Sequence, residues 1–308
     1  GFLVNLGGRA YTTEGNRIEH EGVATPAQVD AIMRDCWGFR MGPFELMDLT
    51  GIDVNYPVSQ IIYNGYNQDR RLATSANHMA MFDAGLYGRK TGKGWYAYED
   101  GKPIDRPSPD FETDAAPVKT VRLAGPNPDL KAFVEEIGLK TGGEGPIIGA
   151  PAGMDATTLS LRAKHDFRTL VCLDLTGNTS TRVTMMTAPG ADRAAVESVA
   201  AAIIASGRKV TWIKDGPGCV GARMVAMIGN LGCYMAEIGL ASPEDIDTNI
   251  ASIGTRPVPT WVAIQSSGIA AEITAASTNP SVSHGARSTG IVINPCRNAR
   301  PRRFQIDS

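Results

Sequence analysis

The sequence predicts a mixed α plus α/β fold, in which an all-α bundle is followed by a small α/β domain and then by part of a second helical domain. Three observations support this prediction. Apolar residues recur every three or four positions up to about Tyr98, short apolar strands alternate with helices over residues 118–214, and helical periodicity returns over residues 215–248.

The first 98 residues are predicted to be helical, as an all-α bundle. Thr25 before Pro26 is a typical helix start, because threonine caps the first turn and proline fits its first position. We expect this helix to end near Gly38 and another to begin after Gly42.

The first helix is predicted to be poorly formed. Gly7 and Gly8 stand in its interior, where each glycine costs about 1 kcal/mol relative to alanine. Asn16 and His20 stand where apolar or long side chains are expected.

Residues 99–117 are predicted to be a linker, because prolines and acidic residues leave too little apolar surface to pack. Residues 118–214 are predicted to be a small α/β domain. Its predicted strands are 118–123, 146–149, 169–175, 182–187 and 209–213, and its predicted helices are 128–137 and 192–206.

An internal repeat relates the start of the chain to residues 218–247 at a constant offset of 217. Gly1, Gly22, Ala24, Pro26 and Asp30 match Gly218, Gly239, Ala241, Pro243 and Asp247. We therefore expect residues 218–241 to superpose on residues 1–24, and residues 215–248 to be a partial second helical domain.

The last segment, residues 249–308, has no helical periodicity, no lysine and only two acidic residues. We expect it to be poorly ordered, and we interpret it as the product of a reading-frame error, with a native disordered tail as the alternative. Because the chain opens inside a motif and without methionine, we interpret the whole sequence as an internal fragment.

Composition excludes several function classes. Thirty basic and 32 acidic residues give a net charge of −2, which offers no field for nucleic acid. No apolar run approaches the roughly 20 residues of a membrane span, so we expect a soluble, cytoplasmic protein. Five scattered cysteines and four histidines suggest neither disulfides nor a metal site, and His20, His78, His165 and His284 are expected to be solvated or structural.

Three ordered motifs occur in the first 98 residues. They are Gly-Phe-Leu-Val-Asn at 1–5 with Arg-Ala-Tyr at 9–11 and Glu14, Gly-Phe-Arg-Met-Gly-Pro-Phe-Glu-Leu-Met-Asp at 38–48, and Gly-Arg-Lys-Thr-Gly-Lys-Gly-Trp-Tyr-Ala-Tyr at 88–98. Together they resemble the C-terminal domain of 3-hydroxyacyl-CoA dehydrogenases, including 3-hydroxybutyryl-CoA dehydrogenases. Residues 118–214 resemble the reduced Rossmann-like domain of long bacterial members, and residues 218–248 resemble the start of their second helical domain.

The resemblance implies NAD-dependent oxidation of a (3S)-hydroxyacyl-CoA to a 3-oxoacyl-CoA, in fatty-acid (β-oxidation) or aromatic-acid degradation. It places Asn5 at the active site, beside catalytic groups of an NAD-binding domain that this sequence lacks. A neutral amide suits this place, because it donates to a developing oxyanion without titrating. Leu6 replaces the arginine that usually follows this asparagine, and the second copy has Ala222 at the matching position.

NAD is expected to be held by the upstream domain. The turn at 123–128 has one glycine and two prolines, where a pyrophosphate needs open backbone N–H groups. Arg89, Lys90 and Lys93 fit either a surface turn or contact with CoA phosphates. The expected partners are an acyl-CoA substrate and a second copy in a homodimer, and the fragment alone is expected to be inactive. The alternative function is a non-catalytic dimerisation module.

Overall fold

The computed structural model describes residues 3–242, 244–246 and 248, and the expectations for the tail at 249–308 lie outside these described residues. The helices are α1 (Leu3–His20), α2 (Pro26–Asp35), α3 (Pro43–Thr50), α4 (Ile52–Gly65), α5 (Ala76–Asp83), α6 (Pro128–Glu136), α7 (Ala156–Ala163), α8 (Arg193–Ala205) and α9 (Gly221–Glu237). The strands are β1 (Ala97–Glu99), β2 (Lys102–Ile104), β3 (Thr120–Leu123), β4 (Lys140–Thr141), β5 (Ile147–Gly149), β6 (Leu170–Asp174), β7 (Arg182–Met186) and β8 (Lys209–Ile213).

The first helix is continuous over 18 residues, so the prediction of a poorly formed helix is wrong. Gly7 is buried, and Asn16 is buried too, with its amide donating to Met47 Sδ at 3.2 Å. Helix α1 packs along α9 and against α3. These tertiary contacts offset the glycine cost, because most helical stability in proteins comes from packing.

Helices α2 and α3 begin where the sequence predicts. Thr25 caps α2 in a reciprocal capping box with Gln28, and Pro26 is the first helical residue. Helix α3 begins at Pro43, directly after Gly42. The helical prediction for residues 1–98 is therefore confirmed for α1 to α5.

The predicted linker is more ordered than its composition indicates. Strands β1 and β2 form an antiparallel hairpin whose first residue, Ala97, already lies in the segment predicted to be helical. Further along, the Phe111 ring meets Trp212 edge-on at 5.1 Å, and the Phe111 N–H donates to the carbonyl of Val210. Asp110 also pairs with Arg182 at 2.7 Å and with Lys209 at 3.2 Å, so aromatic and ionic contacts together fix the segment on the α/β domain.

The six-stranded sheet has the order β4-β3-β5-β6-β7-β8, with β6 and β7 antiparallel and the other neighbours parallel. All five predicted strands and both predicted helices of this segment are confirmed. Strand β4 and helix α7 were not predicted.

Side chains alternate between the two faces of the sheet. On β6, Val171 and Leu173 pack with α6 and α8 in one core, whereas Leu170 and Cys172 join the core of α1, α2, α3 and α9. The helical core therefore continues onto one face of the sheet. The domain boundaries drawn from the sequence stay a prediction.

The repeat is visible in the backbone. At the offset of 217, α1 corresponds to residues 220–237, and α9 covers 221–237. Gly22 and Gly239 end these helices with φ of 69° and 67°. Thr25 and Ser242 accept from the N–H three residues later, at 3.3 and 3.1 Å.

No helix within the described part of the chain is long and apolar enough to cross a membrane.

Candidate active site at the start of the first helix

Asn5, the residue predicted to be catalytic, lies in the first turn of α1 and is exposed. The first N–H groups of a helix have no partner within the helix, and they carry the positive end of its dipole. Leu6 is instead buried, at 2% exposure. Among the first turn's described side chains, the accessible amide of Asn5 is thus the group able to meet a ligand.

One helical turn later, Arg9 joins α1 to α4. Its guanidinium donates to Ser59 Oγ at 2.8 Å, to Asn55 Oδ1 at 3.1 Å and to the carbonyl of Asn55 at 3.3 Å. All three acceptors are neutral. The sequence shows that Arg9 follows Asn5 by four residues, but it does not show that Arg9 bonds to Asn55 and Ser59 of α4.

His78 of α5 is buried near α4, at 1% exposure. Its ring meets Tyr56 edge-on at 5.3 Å, and its Nε2 is buried without a hydrogen-bond partner. Burial and the charge of Arg9 lower the pKa of His78 to about 4, so the ring is neutral at pH 7. The burial of His78 rules out the solvated alternative, and a structural role stays a prediction.

The matching start of α9 is covered. Ala222, the equivalent of Asn5, is half-buried, and its N–H donates to the buried Asp174 at the end of β6. Because alanine has no side-chain donor and the helix start faces the sheet, the second copy offers no equivalent site.

The second motif, residues 38–48, is fixed to α2 by the buried carboxylate of Asp30. Asp30 accepts from the N–H groups of Phe44 and Glu45 at 3.0 and 3.1 Å and from the Tyr96 hydroxyl at 2.6 Å. It thereby caps α3 from a neighbouring helix. Burial raises the pKa of Asp30 to about 7.

Glu45 completes this cluster. It pairs with Arg34 at 2.5 Å and with Arg106, and it accepts from the Gly42 N–H at 2.9 Å. Burial alone would raise the pKa of Glu45, but the Gly42 N–H and the two arginines hold that pKa below its ordinary value.

The third motif is a loop folded over Asp48. The carboxylate accepts from the N–H groups of Trp95 and Tyr96 at 2.9 and 3.0 Å and from the Tyr98 hydroxyl at 2.9 Å. A Cβ on Gly88 would lie 2.6 Å from Asp48 Cα. The glycines and aromatics of this motif are therefore explained by packing.

The cations of the same loop are placed differently. Lys90 pairs with Asp53 at 2.5 Å, and Arg89 lies 5.6 Å from the Tyr98 ring centre. Lys93 is exposed. Contact with CoA phosphates stays a prediction for this loop.

The turn between β3 and α6 does not fit a dinucleotide. Pro128 begins α6 without an N–H to offer, the Asn127 side chain already accepts from the Leu130 N–H, and Asp129 adds a negative charge to the first turn. A pyrophosphate needs free backbone N–H groups here, and a nearby carboxylate repels its negative charge. The first turn of α6 therefore does not suit the pyrophosphate of NAD.

Comparison with known proteins points to one family. Residues 1–98 match the family model described as 3-hydroxyacyl-CoA dehydrogenase, C-terminal domain. The 3-hydroxyadipyl-CoA dehydrogenase of Escherichia coli K12 is 30% identical over 249 residues, which cover 80% of this chain and 48% of that protein. A probable 3-hydroxybutyryl-CoA dehydrogenase of Deinococcus radiodurans is 34% identical over 98 residues, covering 32% of this chain and 35% of that one.

A solved structure extends the likeness beyond the helical domain. The crystal structure of 3-hydroxybutyryl-CoA dehydrogenase from Escherichia coli K12 has a TM-score of 0.66 and 29% identity, and covers 82% of this chain and 49% of that one. The resemblance drawn from the three motifs is thus confirmed. The chain spans about half the length of these Escherichia coli relatives.

Proposed function

We propose, from the premise that residues 1–98 are a 3-hydroxyacyl-CoA dehydrogenase C-terminal domain, that this chain takes part in oxidising a (3S)-hydroxyacyl-CoA to a 3-oxoacyl-CoA. It supplies the helical half of the active site. The cofactor, NAD, is held by a separate NAD-binding domain and accepts the hydride when bound there.

The observation that carries this proposal is the exposed Asn5 in the first turn of a well-formed α1. Its amide donates a hydrogen bond to the substrate oxygen, which gains negative charge as the hydroxyl proton leaves. The positive end of α1 favours the same charge. Asn5 itself exchanges no proton, so the base that removes the hydroxyl proton belongs to the NAD-binding domain.

The test is a fusion in which the NAD-binding domain of a 3-hydroxyacyl-CoA dehydrogenase directly precedes Gly1. We expect NADH formation from 3-hydroxybutyryl-CoA by the fusion and none by residues 1–308 alone, because hydride transfer needs cofactor, base and substrate at near-attack distance. A folded fusion without activity would overturn the proposal. Turnover by the chain alone would overturn the placement of NAD.

A second candidate is a dimerisation module, favoured by apolar side chains on the outer surface of the helical domain. Leu49, Val54, Ile61 and Met79 are 46%, 51%, 69% and 45% exposed. Exposed apolar surface of this kind often marks contact with another subunit. Sedimentation of Ile61→Glu against the unchanged chain tests this: a dimer that becomes monomeric supports it, and a monomer in both cases contradicts it.

A further inference from the structure

The guanidinium of Arg9 is held between α1 and α4 without a carboxylate. Its hydrogen bonds go to Ser59 and to the side chain and carbonyl of Asn55, and both of those residues are buried. Its Nε is buried without a partner. Among the described residues, no acidic side chain forms an ion pair with it, in contrast to Arg17, Arg34, Arg71, Arg106, Arg182 and Arg223.

An unpaired charge of this kind is costly to place away from solvent. Burial lowers the pKa of Arg9 to about 10, and burial together with the positive charge of Arg9 lowers the pKa of His78. At pH 7 the guanidinium is still protonated. Its field is therefore not cancelled locally by a neighbouring carboxylate.

The positive charge of Arg9 lies close enough along α1 to influence a ligand at Asn5. Residues four apart on a helix lie on the same face, about 6 Å apart along the axis. The start of α1 adds its own positive dipole end. Two positive sources thus lie behind an exposed amide, and both favour negative charge at that amide.

We propose that Arg9 is the positioning residue of the Asn5 site: it anchors the first turns of α1 to α4 and supplies an unpaired positive charge that favours an anionic oxygen at Asn5. This rests on the proposed function, since the oxygen would be that of the hydroxyacyl substrate.

The charge can be measured without any catalysis. Asn5→Asp places a titrating carboxyl at the site, and its pKa, followed by NMR in the full chain, reports the local potential. Adding Arg9→Gln should raise that pKa by about 0.5 to 1, as expected for a unit charge at this range near a protein surface. Arg9→Lys should leave it nearly unchanged, and Arg193→Gln, at a side chain 74% exposed on α8, serves as the matched control.

A second variant avoids the risk that Arg9→Gln fails to fold. Asn55→Asp keeps Arg9 and gives it a carboxylate at the place where Asn55 Oδ1 now lies 3.1 Å away. It should raise the pKa of the carboxyl at position 5 as Arg9→Gln does, because the charge is then paired. An unchanged pKa in both variants would overturn the proposal.

Catalysis provides an independent reading in the fusion enzyme. Arg9→Gln should lower kcat about tenfold with little change in KM, and Arg9→Lys should restore most of it, because a preorganised charge acts on the transition state. Equal losses for glutamine and lysine would show that the charge is not used. An inactive parent fusion would overturn the proposed function, while the NMR titration would still decide the role of Arg9.

Discussion

Arg182 Nε lies 2.8 Å from Asp35 Oδ2, which joins the first residue of β7 to the end of α2. The same buried guanidinium pairs with Asp110 at 2.7 Å and donates to Thr211 Oγ1 at 2.6 Å. One side chain thus connects the helical domain, the segment after the hairpin and the sheet.

Replacing this arginine should destabilise the whole chain. Arg182→Met leaves Asp35 and Asp110 without their cation, and breaking a buried ion pair costs about 3–5 kcal/mol. Urea unfolding measures the free energy. The control Arg193→Met, at an exposed pair with Glu197, should change it by less than about 0.5 kcal/mol. Similar losses in both variants would contradict the structural role of Arg182.

Asp30 should make stability depend on pH. Because burial raises its pKa from 3.8 to about 7, the folded state binds a proton that the unfolded state has lost between these values. The contribution of Asp30 to the free energy of unfolding therefore falls by up to about 4 kcal/mol as pH rises from about 4 to about 7. Above pH 7 the contribution is constant.

The measurement is the difference in unfolding free energy between the parent and Asp30→Asn from pH 5 to 8. Groups common to both proteins cancel in this difference. The advantage of the parent should shrink with rising pH, whereas a constant difference would show that Asp30 does not titrate in this range.

Two glycines of α1 should respond in opposite directions to alanine. A Cβ on Gly8 meets nothing within 4 Å, so Gly8→Ala should raise the unfolding free energy by about 0.5–1 kcal/mol through helix propensity. A Cβ on Gly15 would lie 2.8 Å from Pro43 Cγ, so Gly15→Ala should destabilise the protein. Thermal unfolding of both variants is the test, and stabilisation by Gly15→Ala would contradict the close packing of α1 on α3.

Asn5 should matter for turnover and not for folding. In the fusion with an NAD-binding domain, Asn5→Ala should lower kcat by about 10²–10³-fold, the usual cost of losing one oxyanion donor. Its melting temperature should stay unchanged, because the side chain is exposed. Ala222→Ser, at the matching position of α9, is the control and should leave the rate unaltered. Full activity of Asn5→Ala would remove Asn5 from the active site.

Local signals in the sequence predicted much of this structure. Thr25 and Pro26 marked the start of α2, and the register of 217 residues predicted α9. Helix α7 was missed because its segment is rich in threonine and serine, although Asp155 caps it locally by accepting from the Thr158 N–H at 2.6 Å. The distant Asp215 adds a second contact at this helix start, accepting from the Ala156 N–H at 2.7 Å.

The site was predicted only in part, for a similar reason. Asn5 followed from a resemblance and stays a prediction, whereas Arg9 and Asp48 make hydrogen bonds to residues 46 or more positions away in the chain. Periodicity reports which face of an element is apolar, but not which polar side chain will meet another across the fold. The prediction of a poorly formed first helix was wrong for the same reason, because the cost of its glycines was considered without the packing of α1 on α9.

The pairing of α1 with α9 also has a consequence for synthesis. Glu14 is buried on α1, and one of its partners is Arg223, whose guanidinium also binds Glu21 at 2.5 Å. About 200 residues must be translated between the two helices, which takes roughly 10–40 s at 5–20 residues per second. Until α9 leaves the ribosome, the nascent first helix carries a carboxylate that lacks this cation and an apolar face that lacks its partner helix, and exposed apolar surface of this kind favours aggregation during synthesis.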